Sequence, residues 1–327
     1  MPKHTWTKED ITKLKKNFST NTNLQMCEII PTHSYKGIEK KGTILGLLKT
    51  PAHISKATRK RKENPLGKYN DKLVGRPIRV NQQTLEVRKG KNYAELLFFG
   101  DLHYGSLGCD IDRAKRQLEY CLENNVYVLI MGDMIDCGLK SSVGASVYEQ
   151  LVNVQSQIEF ILDLLKPLVE AGLVVGIHTG NHEDRVTKEA GIDITKNWAR
   201  ELNIPYLGSA CWSVFTVGSQ RYTCYSLHGS SGSRFLYTKL KALLDISHSF
   251  SADIMAMGHV HELDSAFQLV QRLVGNTVVE VKKLIILTGH YVKYEGGYVQ
   301  RQGYPISKLG SPKIKLFADK KDIHVSN

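Results

Sequence analysis

The sequence predicts an α/β domain that becomes β-rich towards its end, preceded by a small all-α domain of three helices. Three observations predict it. From about residue 93 onward apolar runs recur and stop at polar residues: AELLFFGDLHYG, YVLIMGDMIDCG, LVVGIHTGNHED, YTCYSLHGS and ADIMAMGHVHE. Helical stretches such as IDRAKRQLEYCLEN and VQSQIEFILDLLKPLVEAG lie between several of them, the alternation expected of strands covered by helices. Before residue 49, apolar residues repeat at helical spacing instead.

The first domain is expected over 1–48. Thr7 reads as an N-cap, with Glu9 and Asp10 in the first turn, where the helix dipole favours acids. Ile11, Leu14 and Phe18 follow at helical spacing, and Trp6 is placed to staple the start. A second helix fits Leu24 to Ile30 and stops at Pro31. Ser34 caps a third, with Ile38 and Leu45 inward and Gly46 near its end. Two short helices with a tight turn between them predict a helix-turn-helix.

Residues 49–92 read as a basic linker. The segment carries 13 Lys+Arg against 3 acids, including Arg59, Lys60, Arg61 and Lys62, and Pro51, Pro65 and Pro77 punctuate it. The whole chain of 327 residues has a formal net charge of +12. Residues 1–92 hold 21 Lys+Arg and 7 Asp+Glu, so the excess belongs to this first quarter. Such a block attracts polyanions, with strong salt dependence.

The third domain is expected over 93–327, with late strands in SAFQLVQRL, NTVVEVKKLIILTG and KIKLF. No run reaches the roughly 18 apolar residues of a membrane helix. The start, MPKHTWTKED, lacks the apolar core of a signal peptide. A cytoplasmic chain is expected, or a nuclear one in a eukaryote, with no membrane partner. The cysteines (Cys27, Cys109, Cys121, Cys137, Cys211 and Cys224) show no CxxC spacing, so reduced thiols are expected.

The strand ends carry the chemistry. In α/β sheets ligands sit at the carboxyl ends of strands. Five successive ends here deliver Asp101 and His103, Asp133 and Asp136, Asn181 and His182, His228, then His259 and His261. Carboxylates mixed with imidazoles suit Mn, Fe, Zn or Ni, whereas Ca or Mg sites are nearly all oxygen. The donors exceed what one tetrahedral zinc takes. Two divalent ions use them all, and a pair about 3.5–4 Å apart can clamp a phosphoryl group and activate water at neutral pH. Buried acids such as Asp133 are tolerable there because cations replace the water they lost.

The ordered set Asp101-x-His103, Gly132-Asp133-x-x-Asp136, Gly180-Asn181-His182-Glu183, His228 in SLHG, and Gly258-His259-x-His261 resembles the calcineurin-like metallophosphoesterase superfamily. The resemblance spans about 101–261. It implies two packed mixed β-sheets flanked by helices, with the site at their strand ends. It also implies that Asp101, His103 and His261 hold one metal, that Asn181, His228 and His259 hold the second, and that Asp133 bridges them. Manganese is foremost, with iron, zinc or nickel as alternatives. His182 would protonate the leaving oxygen or steady the phosphate, with Asp136 orienting it. One departure leans towards the phosphodiesterase and nuclease branches: Cys137 stands where protein phosphatases of the family have Arg, and His261 is present where they tend to lack the second His. Arg185 and Arg234 are further candidates for phosphate contact. His290 and His178 also end or line strands and read as structural, and Cys137 as no nucleophile.

WTKEDITKLKKNF with EIIPTHSYKGIEKKGTILGLL resembles the small Myb/SANT-like helix-turn-helix modules. That resemblance implies DNA binding through the third helix, with Lys36, Lys40 and Lys41 facing the nucleic acid. The combined expectation is a dimetal phosphoesterase acting on nucleic acid, a nuclease or phosphodiesterase of DNA. Two alternatives stand beside it: a phosphomonoesterase or cyclic-nucleotide phosphodiesterase tethered to DNA, and an inactive DNA-binding regulator.

Overall fold

The computed structural model describes residues 5–47, 80–140, 142, 150–230, 233, 235–295 and 298–327. The chain divides into two compact units, 1–78 and 79–327. Within the first, helices α1 (Lys8–Asn17), α2 (Asn23–Ile29) and α3 (Tyr35–Ile44) form as their caps dictate. The Thr7 hydroxyl accepts from the Asp10 amide, and the Asp10 carboxylate accepts from the Thr7 amide, each at 3.1 Å. Thr22 and Gln25 repeat the device at α2, and Ser34 caps α3. Leu14, Phe18, Met26, Ile30 and Ile38 make the small core. Trp6 does not act only as a staple: its ring stacks on His33 at 3.8 Å, and His33 reaches Asp10.

The second unit holds two six-stranded mixed sheets. In chain order its elements are β1 (Val80–Thr84), β2 (Tyr93–Phe99), α4 (Ile111–Asn124), β3 (Tyr127–Ile130), α5 (Val154–Glu170) and β4 (Val174–His178). Then come α6 (Glu183–Ala190), α7 (Ile194–Glu201), β5 (Tyr206–Gly208), β6 (Ala210–Val217), β7 (Gln220–Leu227), α8 (Leu236–Ser247) and β8 (Ile254–Met257). The chain closes with β9 (Leu263–Val274), β10 (Thr277–Thr288), α9 (Tyr298–Arg301), β11 (Lys313–Phe317) and β12 (Ile323–Ser326). One sheet runs β1-β6-β7-β8-β10-β9 and the other β12-β11-β2-β3-β4-β5.

The unbroken apolar runs have a plain cause: each central strand is buried on both faces. Leu96 and Phe98 of β2 point between the sheets, where they meet Leu129, Phe215, Ile254 and Ile286. Leu97 and Phe99 point the other way, under α4, α5 and α7, through Leu118, Ile161, Leu165 and Trp198. On the far side α8 covers the other sheet through Leu243, against Met255, Met257, Ile285 and Leu287. Strands β2, β3 and β4 are mutually parallel, as are β7, β8 and β10, so each group ends at one edge of its sheet.

The linker boundary needs correction. Val80–Thr84, placed in the linker, is an edge strand parallel to β6, and Leu85 behind it is buried. The sequence VNQQT has no apolar period because no residue of that strand is fully buried. Among the described residues no helix is long and apolar enough to cross a membrane.

Candidate metal centre

Five loops build the centre, each leaving the carboxyl end of a strand. The loops after β2 and β3 run side by side: Asp101 N donates to Gly132 O and His103 N to Asp133 O, both at 3.0 Å. The loop after β4 presses against them without room for side chains. A Cβ on Gly180 would fall 2.1 Å from Asp133 Oδ1, and one on Gly132 would fall 2.7 Å from Gly180 N. These glycines let three backbones meet at one point. His228 leaves β7, and His259 and His261 leave β8.

The side chains converge in three groups, each with its ligand atoms within 4.8 Å of one another: Asp101, His103 and His261; Asp133, His228 and His259; and His103, Asp136 and His182. In the first, His103 Nε2 and His261 Nε2 face each other at 2.9 Å, and Asp101 Oδ1 stands 3.6 Å from the latter. In the second, His228 Nε2 lies 3.3 Å from Asp133 Oδ2 and 3.0 Å from Asn181 Oδ1, and His259 Nδ1 lies 2.7 Å from that same oxygen. Asp133 Oδ2 is also 3.7 Å from His103 Nε2, which puts it between the two groups.

The donor set fits two divalent cations. His228 Nδ1 sits 2.8 Å from the Met131 carbonyl and must donate to it. In the neutral ring, Nε2 is then a bare lone pair aimed at two oxygens that also only accept. Burial pulls the His228 pKa down, yet Asp133 and Asp101 push it to about 10, so the pocket calls for a positive charge at that spot. Burial pushes Asp101 up to about 7, with repulsion from Asp133 adding to it. Asp133, also raised by burial, is held well below the carboxylate range by His228, His182 and His103. The ion-pair partners of both acids among the described residues are imidazoles. The backbone adds a second sign: Asp101, His103, Asp133, His259 and His261 all hold left-handed φ, between 49° and 65°. Each such residue costs about 1–3 kcal/mol, and strain of this kind gathers at ligand clamps.

His182 lies beside this cluster. Its Nδ1 donates to the Asp136 backbone carbonyl at 2.5 Å, while the Asp136 carboxylate stands 3.6 Å away. The main chain therefore orients the ring more closely than the carboxylate does. That carboxylate accepts from Gln150 and faces His103 Nδ1 at 3.7 Å. Burial pulls His182 down to about 4, so the ring is neutral at neutral pH. Arg185 donates to the Asp136 and Cys137 carbonyls and reaches His182 Nε2 at 3.0 Å, which sets its guanidinium beside that ring. Burial pushes the Cys137 thiol up to about 12, unsuited to a nucleophile. His178 is a buried strut between Gly208 O and Ser226 Oγ. His290 comes closer than its place outside the motifs implies, stacking on His261 with centroids 4.9 Å apart.

Sequence reasoning assigned no role to Glu183, although it is central. Its carboxylate, almost fully buried, accepts from the amides of Gly180, Asp133, Met134 and Ile135 at 2.7–3.3 Å. The one signal available was its place in the Gly-Asn-His-Glu run. Of the nucleic-acid candidates, Lys36 and Lys40 are exposed one turn apart on α3. Lys41 is half-buried, its ammonium 5.7 Å from the centre of the Trp6 ring. Arg59, Lys60, Arg61, Lys62 and Arg234 lie outside the described residues. All six cysteines lie among the described residues, and none of them forms a disulfide.

A family model described as calcineurin-like phosphoesterase matches residues 94–298. No curated protein matches the chain. Among solved structures, the phosphoesterase Yfce from E. coli is 13% identical, over 71% of this chain and 98% of that one, with a TM-score of 0.32. Vacuolar protein sorting 29 from Cryptosporidium parvum is 15% identical over 72% and 98%, with a TM-score of 0.35. Vps29 complexed with zinc from Entamoeba histolytica is 15% identical over 71% and 97%, with a TM-score of 0.31.

Proposed function

The chain belongs to the calcineurin-like phosphoesterase family, and we propose that this member is a dimetal phosphodiesterase of nucleic acid, a nuclease acting on DNA. The observation that carries the reading is the convergence of Asp101, His103 and His261 on one side of Asp133 and of Asn181, His228 and His259 on the other. These residues would hold two divalent cations, manganese foremost, with Asp133 shared. When bound, such a pair supplies Lewis-acid chemistry that activates water and offsets phosphoryl charge.

The chain's own groups do the rest. Arg185 Nη2 and His182 Nε2 lie together, so a phosphate oxygen arriving there meets a guanidinium and an imidazole at once. With Nδ1–H committed to the Asp136 carbonyl and the ring neutral, Nε2 presents a lone pair, and it is the atom that would take up a proton as the phosphate brings negative charge beside it and pass that proton to the departing oxygen. Cys137 leaves the position after Asp136 without a second guanidinium, which supports a diester over a monoester dianion. The three-helix unit supports DNA as the polymer: it pairs two helices about a short turn and presents Lys36 and Lys40 from the second.

The test is a substrate panel with Mn²⁺: labelled single-stranded and duplex DNA, bis-p-nitrophenyl phosphate and p-nitrophenyl phosphate. DNA and the diester should turn over faster than the monoester. His182→Ala should lower kcat by about 10²–10⁴ while metal content stays unchanged. No cleavage of DNA with any divalent metal refutes the reading, and indifference to His182→Ala would favour a regulator.

A further inference from the structure

The loop that follows β10 supplies none of the candidate ligands, yet it touches two of them. Tyr291 N donates to the Asp101 carbonyl at 3.0 Å. Gly289 N donates at 2.8 Å to the carbonyl of Glu262, the residue directly after His261. Between these two bonds His290, 3% exposed, stacks on the His261 ring with centroids 4.9 Å apart and planes 10° apart. Asp101 and His261 belong to the same metal group. None of these contacts reaches Asn181, His228 or His259 of the other group. The loop is itself anchored. The hydroxyl of buried Tyr291 bonds Gln117 at 2.5 Å and Ser311 at 3.0 Å. Gly289 lets the main chain pass close to Gly310, whose carbonyl oxygen a Cβ would meet at 2.0 Å.

His261 needs this backing more than its companions do. Its side chain is 29% exposed, against 6% for His103 and 3% for His228. A ligating imidazole is oriented through its other nitrogen. His228 Nδ1 is fixed by the Met131 carbonyl, and His103 Nδ1 faces the Asp136 carboxylate. The His261 ring turns Nε2 to its metal group, and among the described residues its Nδ1 makes no hydrogen bond. The flat face of His290 restrains that ring instead. The main chain at both ends sets the direction of the bonds around His290. Val292 N–H donates to His290 Nδ1 at 3.3 Å, so the ring hydrogen sits on Nε2. Nε2–H donates to Ser307 Oγ at 2.6 Å, and Ser307 Oγ–H donates to the His261 carbonyl at 2.9 Å. Both nitrogens of His290 are thereby occupied, which leaves it no lone pair for a cation.

We propose that His290, locked by Val292 and Ser307, is the positioning residue of the metal group formed by Asp101, His103 and His261, so that the two cations depend on it unequally. The inference rests on the dimetal reading of the centre. Without the His290 ring, His261 is free to turn, and one cation loses a ligand. The other keeps Asn181, His228 and His259.

The test is calorimetric titration of the metal-free full chain with Mn²⁺. The wild type should take up two ions. His290→Ala should bind one of them about 10–100-fold more weakly and the other with unchanged affinity. At two equivalents its electron paramagnetic resonance spectrum should move from that of a spin-coupled pair towards that of isolated Mn²⁺. Ser307→Ala keeps the ring and loses only the bond chain. It should show the same one-sided loss to a smaller degree, and it decides the matter if His290→Ala fails to fold. A merely structural role weakens both ions alike, and that result overturns the proposal, as do unchanged affinities for both. A wild type that binds fewer than two ions sinks the dimetal reading and the proposal with it. A wild type that binds two, matched by its variants, sinks the proposal alone.

Discussion

The carboxylate of Glu183 accepts from four amides that belong to two different loops, one after β3 and one after β4. Two of those amides belong to Asp133 and its neighbour Met134, so the position of the Asp133 carboxylate depends on this one buried acid. Glu183→Gln keeps the shape but turns one acceptor into a donor that faces N–H groups. Leaving such groups unsatisfied costs about 1–3 kcal/mol each. The variant should melt several degrees lower, since about 1 kcal/mol moves a domain of this size by 2–4 °C. Metal affinity should fall by about 10–100-fold, as when groups behind a ligand are lost. Calorimetry and metal titration check this, and an unchanged affinity would reduce Glu183 to a packing residue. The contrast with Asp101 or His259 shows what sequence carries at this scale. Candidate ligand side chains are legible because few residue types bind cations and they recur at strand ends. Glu183 is not, since its partners are backbone amides that every residue has. Asp136 was half legible: its place near His182 followed from the motif, but the bond through its carbonyl did not, because main-chain geometry leaves no mark in residue type.

At the scale of elements, the legible parts are those with a local cause. The helix at 111–124 matches the stretch IDRAKRQLEYCLEN residue for residue, because its amphipathic period lies within it and its Asp110 cap stands directly before it. The edge strand at 80–84 was not legible, since its pairing with β6 is a long-range fact written in neither residue. Caps also carry a testable pH dependence. The Thr7 hydroxyl and amide hold the Asp10 carboxyl below its ordinary value of 3.8. A carboxyl lowered by folding stabilises the fold above its unfolded pKa, and that contribution is lost as pH falls through the lower folded value. Amide exchange in α1 should therefore accelerate as pH drops through and below 3.8, relative to α5, whose Asn153 cap does not titrate. Thr7→Ala should cost α1 about 1 kcal/mol and flatten that pH response. An identical profile in wild type and variant would remove the capping box from the account.

Across the whole molecule, strand order is the least legible feature. The sheets run β1-β6-β7-β8-β10-β9 and β12-β11-β2-β3-β4-β5, orders that close only through contacts far apart in sequence. The α/β alternation fixes the class of fold, and the resemblance carried by the ligand motifs supplied the two-sheet arrangement. Charge needs no fold to be read. Residues 1–92 hold 21 Lys+Arg against 7 Asp+Glu, within a chain of net charge +12. If this block holds DNA, binding must release counterions, and log K should fall linearly with log salt at about 0.9 per phosphate neutralised. Lys36 and Lys40 are exposed and one turn apart, so Lys36→Ala/Lys40→Ala should reduce the slope by about 2 and weaken all sequences alike. Lys41 is different, because its ammonium lies over Trp6. Lys41→Ala should loosen the three-helix unit more than it changes the slope. Binding isotherms at several salt concentrations, with wild type and the two variants, decide the matter. A slope near zero would mean that the basic quarter of the chain does not grip DNA, and the nucleic-acid reading would lose its electrostatic support while the metal centre kept its own.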